Sequence, residues 1–234
     1  MGTVARCGLH FVSRHPCFFA ADSVKEHSRS RFIVKKWSPV VLSLAVVACA
    51  GNLRGATTFQ LAYFPSGGVV PPHVPTCAGP IAVTATDVRK VPTEAGRRFE
   101  QDKPTVDYPI QMTGDAAAFV RAAIEANLKR AGNPGPGQTA STVAVTLVRA
   151  HIEEKTYHNA EYAGDVGLDV AVYAANPSTP CWKGQVTATG TNYGKAGAPE
   201  NYQETLNRAL EKATFDLLAQ NAFQDALCGK CASR

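Results

Sequence analysis

The sequence predicts an α+β fold, a β-α-β-β-β-α two-layer sandwich with an antiparallel sheet and two helices on one face. Two observations predict it. Four segments alternate apolar and polar residues with a period of two, and two others space apolar residues for one face of a helix. Proline and glycine punctuate the connections between them.

The first strand is Ile81–Thr86, where Ile81, Val83 and Ala85 share a face. Residues 89–112 are charged and broken by prolines, and read as a loop with a short strand at Tyr108–Met112. A helix follows, with Thr113 as its N-cap and Asp115 in the first turn, where the helix dipole favours an anion. Its apolar stripe is Phe119, Val120, Ala123, Ile124 and Leu128, and Gly132-Asn133-Pro134 ends it. Gly135-Pro136-Gly137-Gln138 is loop.

Three strands come next. Val143, Val145 and Leu147 face one way in the first. Val166, Leu168, Val170 and Val172 alternate with Gly167, Asp169, Ala171 and Tyr173 in the second. In the third, Trp182, Gly184, Val186 and Ala188 oppose Gln185, Thr187 and Thr189, after a turn at Asn176–Pro180. Such alternation implies one buried and one exposed face. The closing helix runs from Asn201 to Asn221, with Asn201 and Glu204 as a capping box. Tyr202, Leu206, Leu210, Ala213 and Leu217 form its stripe, widened by Phe215, Leu218 and Ala222.

Upstream lies a targeting signal. Lys35-Lys36 precede a short apolar run, Val40–Ala48, and then Cys49. The run is too short for a bilayer, which takes roughly 20 apolar residues, and Pro39 interrupts it. It reads as the h-region of a secretory signal. Val46-Val47-Ala48-Cys49 resembles the bacterial lipobox, whose cysteine is acylated and becomes the first mature residue. The lipidation site is therefore Cys49. The rival reading is cleavage after Ala50 at Ala48-Cys49-Ala50, leaving a soluble periplasmic protein.

The expected organisation is thus residues 1–48 as upstream extension and signal peptide, 49–80 as a Pro/Gly-rich tether with room for a short strand at Thr57–Phe64, where Phe59, Leu61 and Tyr63 alternate with Gln60 and Ala62, and 81–234 as one periplasmic domain. Residues 1–33, with Cys7, Cys17, His10, His15 and His27, show no period and are expected to carry no fold. A start codon assigned too far upstream would explain them.

Of the chain's 24 Lys and Arg and 19 Asp and Glu, seven and two respectively precede Cys49. The remainder is neutral, so nucleic acid is not an expected partner. The membrane, through the lipid, is the expected partner, with envelope proteins or lipid beyond it.

Cys77, Cys181, Cys228 and Cys231 remain besides Cys49. An even number in an exported chain favours disulfides, with three pairings open. Cys228-Gly229-Lys230-Cys231 is a C-x-x-C, but it follows a helix, and the negative C-terminal end of a helix raises a thiol pKa. A structural role is expected.

His151, Glu153, Glu154 and His158 read as a solvated hairpin tip, with Glu161 and Asp165 nearby, in no known metal spacing. Glycines 164, 167, 190, 194 and 197 read as turns and bulges, and Trp182, Tyr193 and Tyr202 as packing aromatics. No nucleophile elbow, catalytic triad or P-loop can be read. No catalytic residue, metal or cofactor is assigned.

The lipobox cysteine, the strand at Ile81–Asp87, the helix ending Leu128-Lys129-Arg130-Ala131-Gly132, the three-strand block and the helix with Leu206, Ala209, Leu210 and Ala213 together resemble the YajG-like group of small bacterial envelope lipoproteins. More distantly they resemble the auxiliary lipoproteins of ABC-type lipid transport systems. The resemblance spans about residues 81–222 and concerns pattern and order. It implies a non-enzymatic, outer-membrane-anchored protein facing the periplasm, working as an interaction or transport-accessory module. The alternative is a periplasmic protein holding a lipid or small ligand between helices and sheet. The insertion 89–112, the loop 132–137 and the four extra cysteines depart from the group.

Overall fold

The computed structural model describes residues 55–100, 103–133, 141–156, 159–174 and 178–231, with the backbone alone for 103–106. The element order is β1 (Thr57–Gln60), β2 (Ile81–Asp87), β3 (Glu94–Glu100), β4 (Lys103–Thr113), α1 (Ala116–Arg130), β5 (Ser141–Thr156), β6 (Ala160–Tyr173), β7 (Trp182–Gly194), α2 (Pro199–Leu218) and α3 (Asn221–Leu227). The fold is α+β, but richer than the sequence predicts.

One seven-stranded sheet has the order β1-β4-β3-β5-β6-β7, with β2 also pairing β5. The β5-β6-β7 meander is antiparallel. The sheet as a whole is mixed and not antiparallel, because β2 and β3 both run parallel to β5 and β1 runs parallel to β4. The sixteen-residue β5 accepts β2 along Ser141–Leu147 and β3 along Ile152–Thr156. Alternation reveals which face a residue takes but not which direction its neighbour runs. That is why the parallel pairs escaped the sequence.

A bulge at Val148 organises the interior. Before it, Val143, Val145 and Leu147 are buried; after it, Ile152 and Glu154 are. One extra residue switches the buried set from odd to even positions. Val166, Leu168, Val170 and Val172 of β6 and Val186 and Ala188 of β7 face the same core, while Asp169 is exposed and accepts from Gln185 Nε2 at 2.9 Å. Each such buried aliphatic contributes roughly 1.5–3 kcal/mol.

The helices cover this face. In α1, Phe119, Val120, Ala123, Ile124 and Leu128 are buried as the spacing predicts. Its N-cap is Asp115, whose carboxylate accepts from Ala118 N at 3.0 Å; Thr113 instead closes β4. At the other end Gly132 has φ +94°, a conformation that favours glycine. In α2, Tyr202, Leu206, Leu210, Ala213 and Leu217 are buried. The capping box is not formed: Ala198 is the N-cap without a side-chain bond, and Glu204 receives Asn192 Nδ2 at 3.0 Å instead. A third helix, α3, packs Phe223 edge-on to Trp182 with ring centroids 5.4 Å apart. Ala222 is exposed.

Gly164 and Gly190 are cross-strand partners on this face. A Cβ on Gly190 would lie 2.5 Å from Ala209 N and 2.7 Å from Thr205 O, and one on Gly164 2.7 Å from Thr205 Cγ2. Their small size seats α2 directly on the sheet, a role different from the turns and bulges expected of them.

Two further readings are corrected. Within residues 89–112, Glu94–Glu100 and Lys103–Met112 are strand and not loop, and the short strand expected at Tyr108–Met112 is the end of the longer β4. Pro109 fits within β4 because it lies just outside the register with β1, which begins at Ile110, where a missing N–H is tolerated. Residues 57–80, expected as part of a tether, belong to the domain: Phe59, Val74 and Ala78 are buried, and Val74 N donates to Ala131 O at 2.8 Å. Their prolines suggest a spacer, but Phe59 packs against Tyr202 of α2 with ring centroids 5.8 Å apart, and Tyr63 lies edge-on to Phe119 of α1 at 6.3 Å.

Candidate functional site

Cys49, the expected lipidation site, lies outside the described residues, as do Cys7, Cys17, His158 and the loop at 135–138. The other four cysteines form two disulfides, Cys77–Cys228 and Cys181–Cys231. Both members of the C-x-x-C therefore reach outward to different partners, one to the approach to β2 and one to the start of β7. The C-x-x-C follows α3, and Gly229 takes φ +73° between the two bonds. The tail is held at two points, which suits a structural role for all four sulfurs.

The predicted hairpin-tip cluster is dispersed by the strand geometry. His151, Glu153 and Glu154 lie within β5, and Glu161 and Asp165 in β6. Glu153 pairs with Lys155 and Asp165 with Arg149, at 3.2 and 3.3 Å. Among the described residues, no three His, Cys, Asp or Glu side chains converge as a metal site.

Glu154 differs from its neighbours because the Val148 bulge turns it inward, where it is fully buried. Thr156 Oγ1 and Gly197 N each donate to Glu154 Oε1 at 3.0 Å, and Tyr202 OH donates to Oε2. Tyr162 lies edge-on to Tyr202, with centroids 5.2 Å apart, and donates to Lys195 O. Arg98, also buried, sits opposite Glu154 in the β3–β5 register. It donates to Thr57 Oγ1 at 3.2 Å and stacks 4.8 Å from the Tyr108 ring. Burial raises the Tyr202 phenol far above its ordinary value, and the Glu154 carboxylate pushes it further. Tyr162 is raised by burial as well. Glu154 itself is fully buried, with Tyr162 and Tyr202 buried beside it. The cluster is a satisfied polar seam that fixes β1, β3, β5 and α2 to one another.

The space between helices and sheet is filled. A cavity of about 10 Å³, room for a single water, lies between Phe119, Val120, Leu147, Val166, Leu206 and Leu210. Sites that hold small organic ligands run to about 300–1,000 Å³.

The segment after β1 is fastened to the outer side of the helices. Ala62 O accepts from Gln203 and Asn207 on α2, and Tyr63 OH accepts from Asn127 Nδ2 on α1 at 2.9 Å. Beyond Tyr63, Arg130 donates to both Ser66 O and Val69 O. It is itself held by Glu211 at 2.6 Å and Asn127 at 3.0 Å. Ser66 Oγ also donates to Glu211. The guanidinium thus clasps both ends of the turn Ser66-Gly67-Gly68-Val69. Sequence reading missed this assembly because three of its acceptors, at Ala62, Ser66 and Val69, are backbone carbonyls.

No family model matches the chain, and no curated protein matches it. Three solved structures show distant likeness. A Xanthomonas campestris protein of family DUF330 aligns with TM-score 0.44 and 10% identity over 75% of this chain and 96% of its own. A candidate lipoprotein from Caulobacter crescentus gives 0.35 and 16%, over 52% and 87%. A Chlamydia trachomatis hypothetical protein gives 0.34 and 12%, over 64% and 99%. At these values the likeness says nothing about activity. The described residues hold no helix long and apolar enough to cross a membrane.

Proposed function

We propose that this chain is a non-enzymatic lipoprotein of the bacterial envelope, anchored through Cys49 at the outer membrane, with its domain serving as an interaction or transport-accessory module. The observation that carries the reading is the pair of disulfides closing the domain. Such bonds persist in oxidising compartments, and they lie downstream of a segment, Lys35–Cys49, that has the form of a lipoprotein signal.

Further features support it. The buried carboxylate, Glu154, has donors on both oxygens and no exposure, which is the state of a structural group and not of an acid or base awaiting substrate. The filled interior weighs against the alternative, a lipid held between helices and sheet. The resemblance to the YajG-like group supports the same class. Ala50 follows the cysteine, without the aspartate that retains enterobacterial lipoproteins at the inner membrane.

The test is metabolic labelling with a radioactive fatty acid, combined with membrane fractionation. Wild-type protein should carry label and fractionate with outer membrane, and Cys49→Ser should lose both label and processing. Label surviving the substitution would refute the anchor.

A further inference from the structure

We propose that the loop Phe64–Val70 is a lipid-contacting element that lays the helical side of the domain against the membrane. This rests on the anchored reading above and assigns the surface that the anchor brings to the bilayer.

The loop Phe64-Pro65-Ser66-Gly67-Gly68-Val69-Val70 is exposed at every position and has no charged residue. Phe64 is 65%, Val69 56% and Val70 82% exposed. Water-exposed apolar side chains are ordinary when scattered singly, but a contiguous group marks an interaction surface. Here the group is also held in place. Arg130 grips the two carbonyls flanking the glycine turn, and Glu211, only 8% exposed in its side chain, grips Arg130. Little conformational freedom remains to be lost when the apolar side chains enter another phase.

The covalent chain brings a lipid surface within reach. About six residue steps separate Cys49 from Gly55, an extended span of about 20 Å. Phe59 of β1 lies beside Tyr202 on α2, with ring centroids 5.8 Å apart, and Ser66 lies beside Glu211. The stretch of α2 between Tyr202 and Glu211, about nine residues, rises about 14 Å. The linker is therefore long enough for the loop and the acyl group to meet one lipid surface. Aromatic and aliphatic side chains on a neutral loop suit the headgroup–acyl boundary, at a depth of about 5–10 Å. A charge-selective attraction is not required, since Lys212 and Arg208 nearby are each paired with an acid on the same helix. With the helices toward lipid, the polar outer face of the sheet, including Asp169, Lys183, Gln185, Thr187 and Thr189, is turned toward the periplasm.

The experiment places a tryptophan at the loop. Acylated protein carrying Phe64→Trp is reconstituted in phosphatidylcholine vesicles, with and without brominated acyl chains, and its emission is compared with that of the parent, whose Trp182 gives the background. Tyr193→Trp, at an exposed position on β7 (69%), is the control. The added indole of Phe64→Trp should be blue-shifted and quenched roughly twofold or more by bromolipid, given insertion to that depth, while that of Tyr193→Trp stays unchanged. Mass measurement of the Cys49 peptide is made on the same samples. An acylated Phe64→Trp protein whose added indole is unquenched overturns the loop assignment and leaves the anchor standing. This holds whether the emission is solvent-like or blue-shifted by a covering protein surface. A Phe64→Trp chain without acyl mass that is still quenched by added vesicles upholds the loop and sinks the anchor. Absence of both acyl mass and quenching removes both.

Discussion

Replacing Gly190 with alanine adds one methyl group at the place where α2 is closest to the sheet. The new Cβ would sit 2.5 Å from Ala209 N and 2.7 Å from Thr205 O, against an ordinary contact of about 3.5 Å or more. Both obstructing atoms are helix backbone, so no rotamer change relieves them. The helix has to retreat by about 1 Å, and a gap of that size forfeits roughly a quarter to a half of each dispersion contact it opens. Leu206, Ala209, Leu210 and Ala213, all nearly or fully buried, lose contact together.

Overpacking commonly costs about 1–3 kcal/mol, and rigid obstruction puts this case at the upper end. The smaller entropy lost on folding by alanine offsets about 0.5–1 kcal/mol. A net loss of about 2–2.5 kcal/mol should lower Tm by about 4–10 °C for a domain of this size. Gly67→Ala is the comparison, because no atom lies within 4 Å of its added Cβ; its effect should stay within about 0.5 kcal/mol. Thermal and urea unfolding followed by far-ultraviolet circular dichroism would measure both. Equal stabilities for Gly190→Ala and Gly67→Ala would show that α2 does not rest on the glycine pair.

Two other expectations follow from the geometry. Peptide mapping of non-reduced protein should find Cys77 joined to Cys228 and Cys181 to Cys231, with no free thiol among the four. A local Cys228–Cys231 bond would contradict the described connections. Removing either long-range bond by paired serine substitutions should cost about 2–5 kcal/mol, since each constrains a long stretch of unfolded chain. The second expectation concerns alkali. Tyr202 and Tyr162 have folded pKa values raised above the ordinary 10.0, so the folded state holds their protons more tightly than the unfolded state does. Their contribution is fully present below about pH 10 and is lost as pH rises beyond it toward the folded values. Tm should fall between about pH 10 and 11, and less steeply in Tyr202→Phe than in wild type; parallel declines would remove Tyr202 as a source.

The parts legible in the sequence are those whose chemistry repeats along the chain. The alternation of β6 and the stripe of α1 appear in the structure residue for residue, since local period and burial agree there. Legibility stopped at Val148. Carrying the odd-numbered alternation past it turns Arg149, His151 and Glu153 inward, so the pattern ends the strand there and assigns Glu154 to a tip. In β3 polarity itself misleads: Arg98 is buried, with an aromatic ring and a hydroxyl to receive it, while Phe99 is half-buried. The disulfide partners were named but could not be paired, because pairing depends on where α3 delivers the tail. The Arg130 clasp left no pattern at all, because it depends on carbonyls brought close by the fold.

The position of β5 also bears on the order in which the domain can form during synthesis. β2 must wait for residues 141–147 and β3 for 152–156 before either meets that shared neighbour, and the apolar face stays open until α2 arrives near the end. Cys77 waits longer still, for a partner 151 residues downstream. A chain wired in this way has little to gain from early collapse, since so many of its contacts span long stretches of sequence. It should therefore remain loose while it is being made. If the chain is exported unfolded through a narrow channel, as the proposed function requires, lateness of closure is itself useful: the Cys77–Cys228 bond waits for a partner among the later residues.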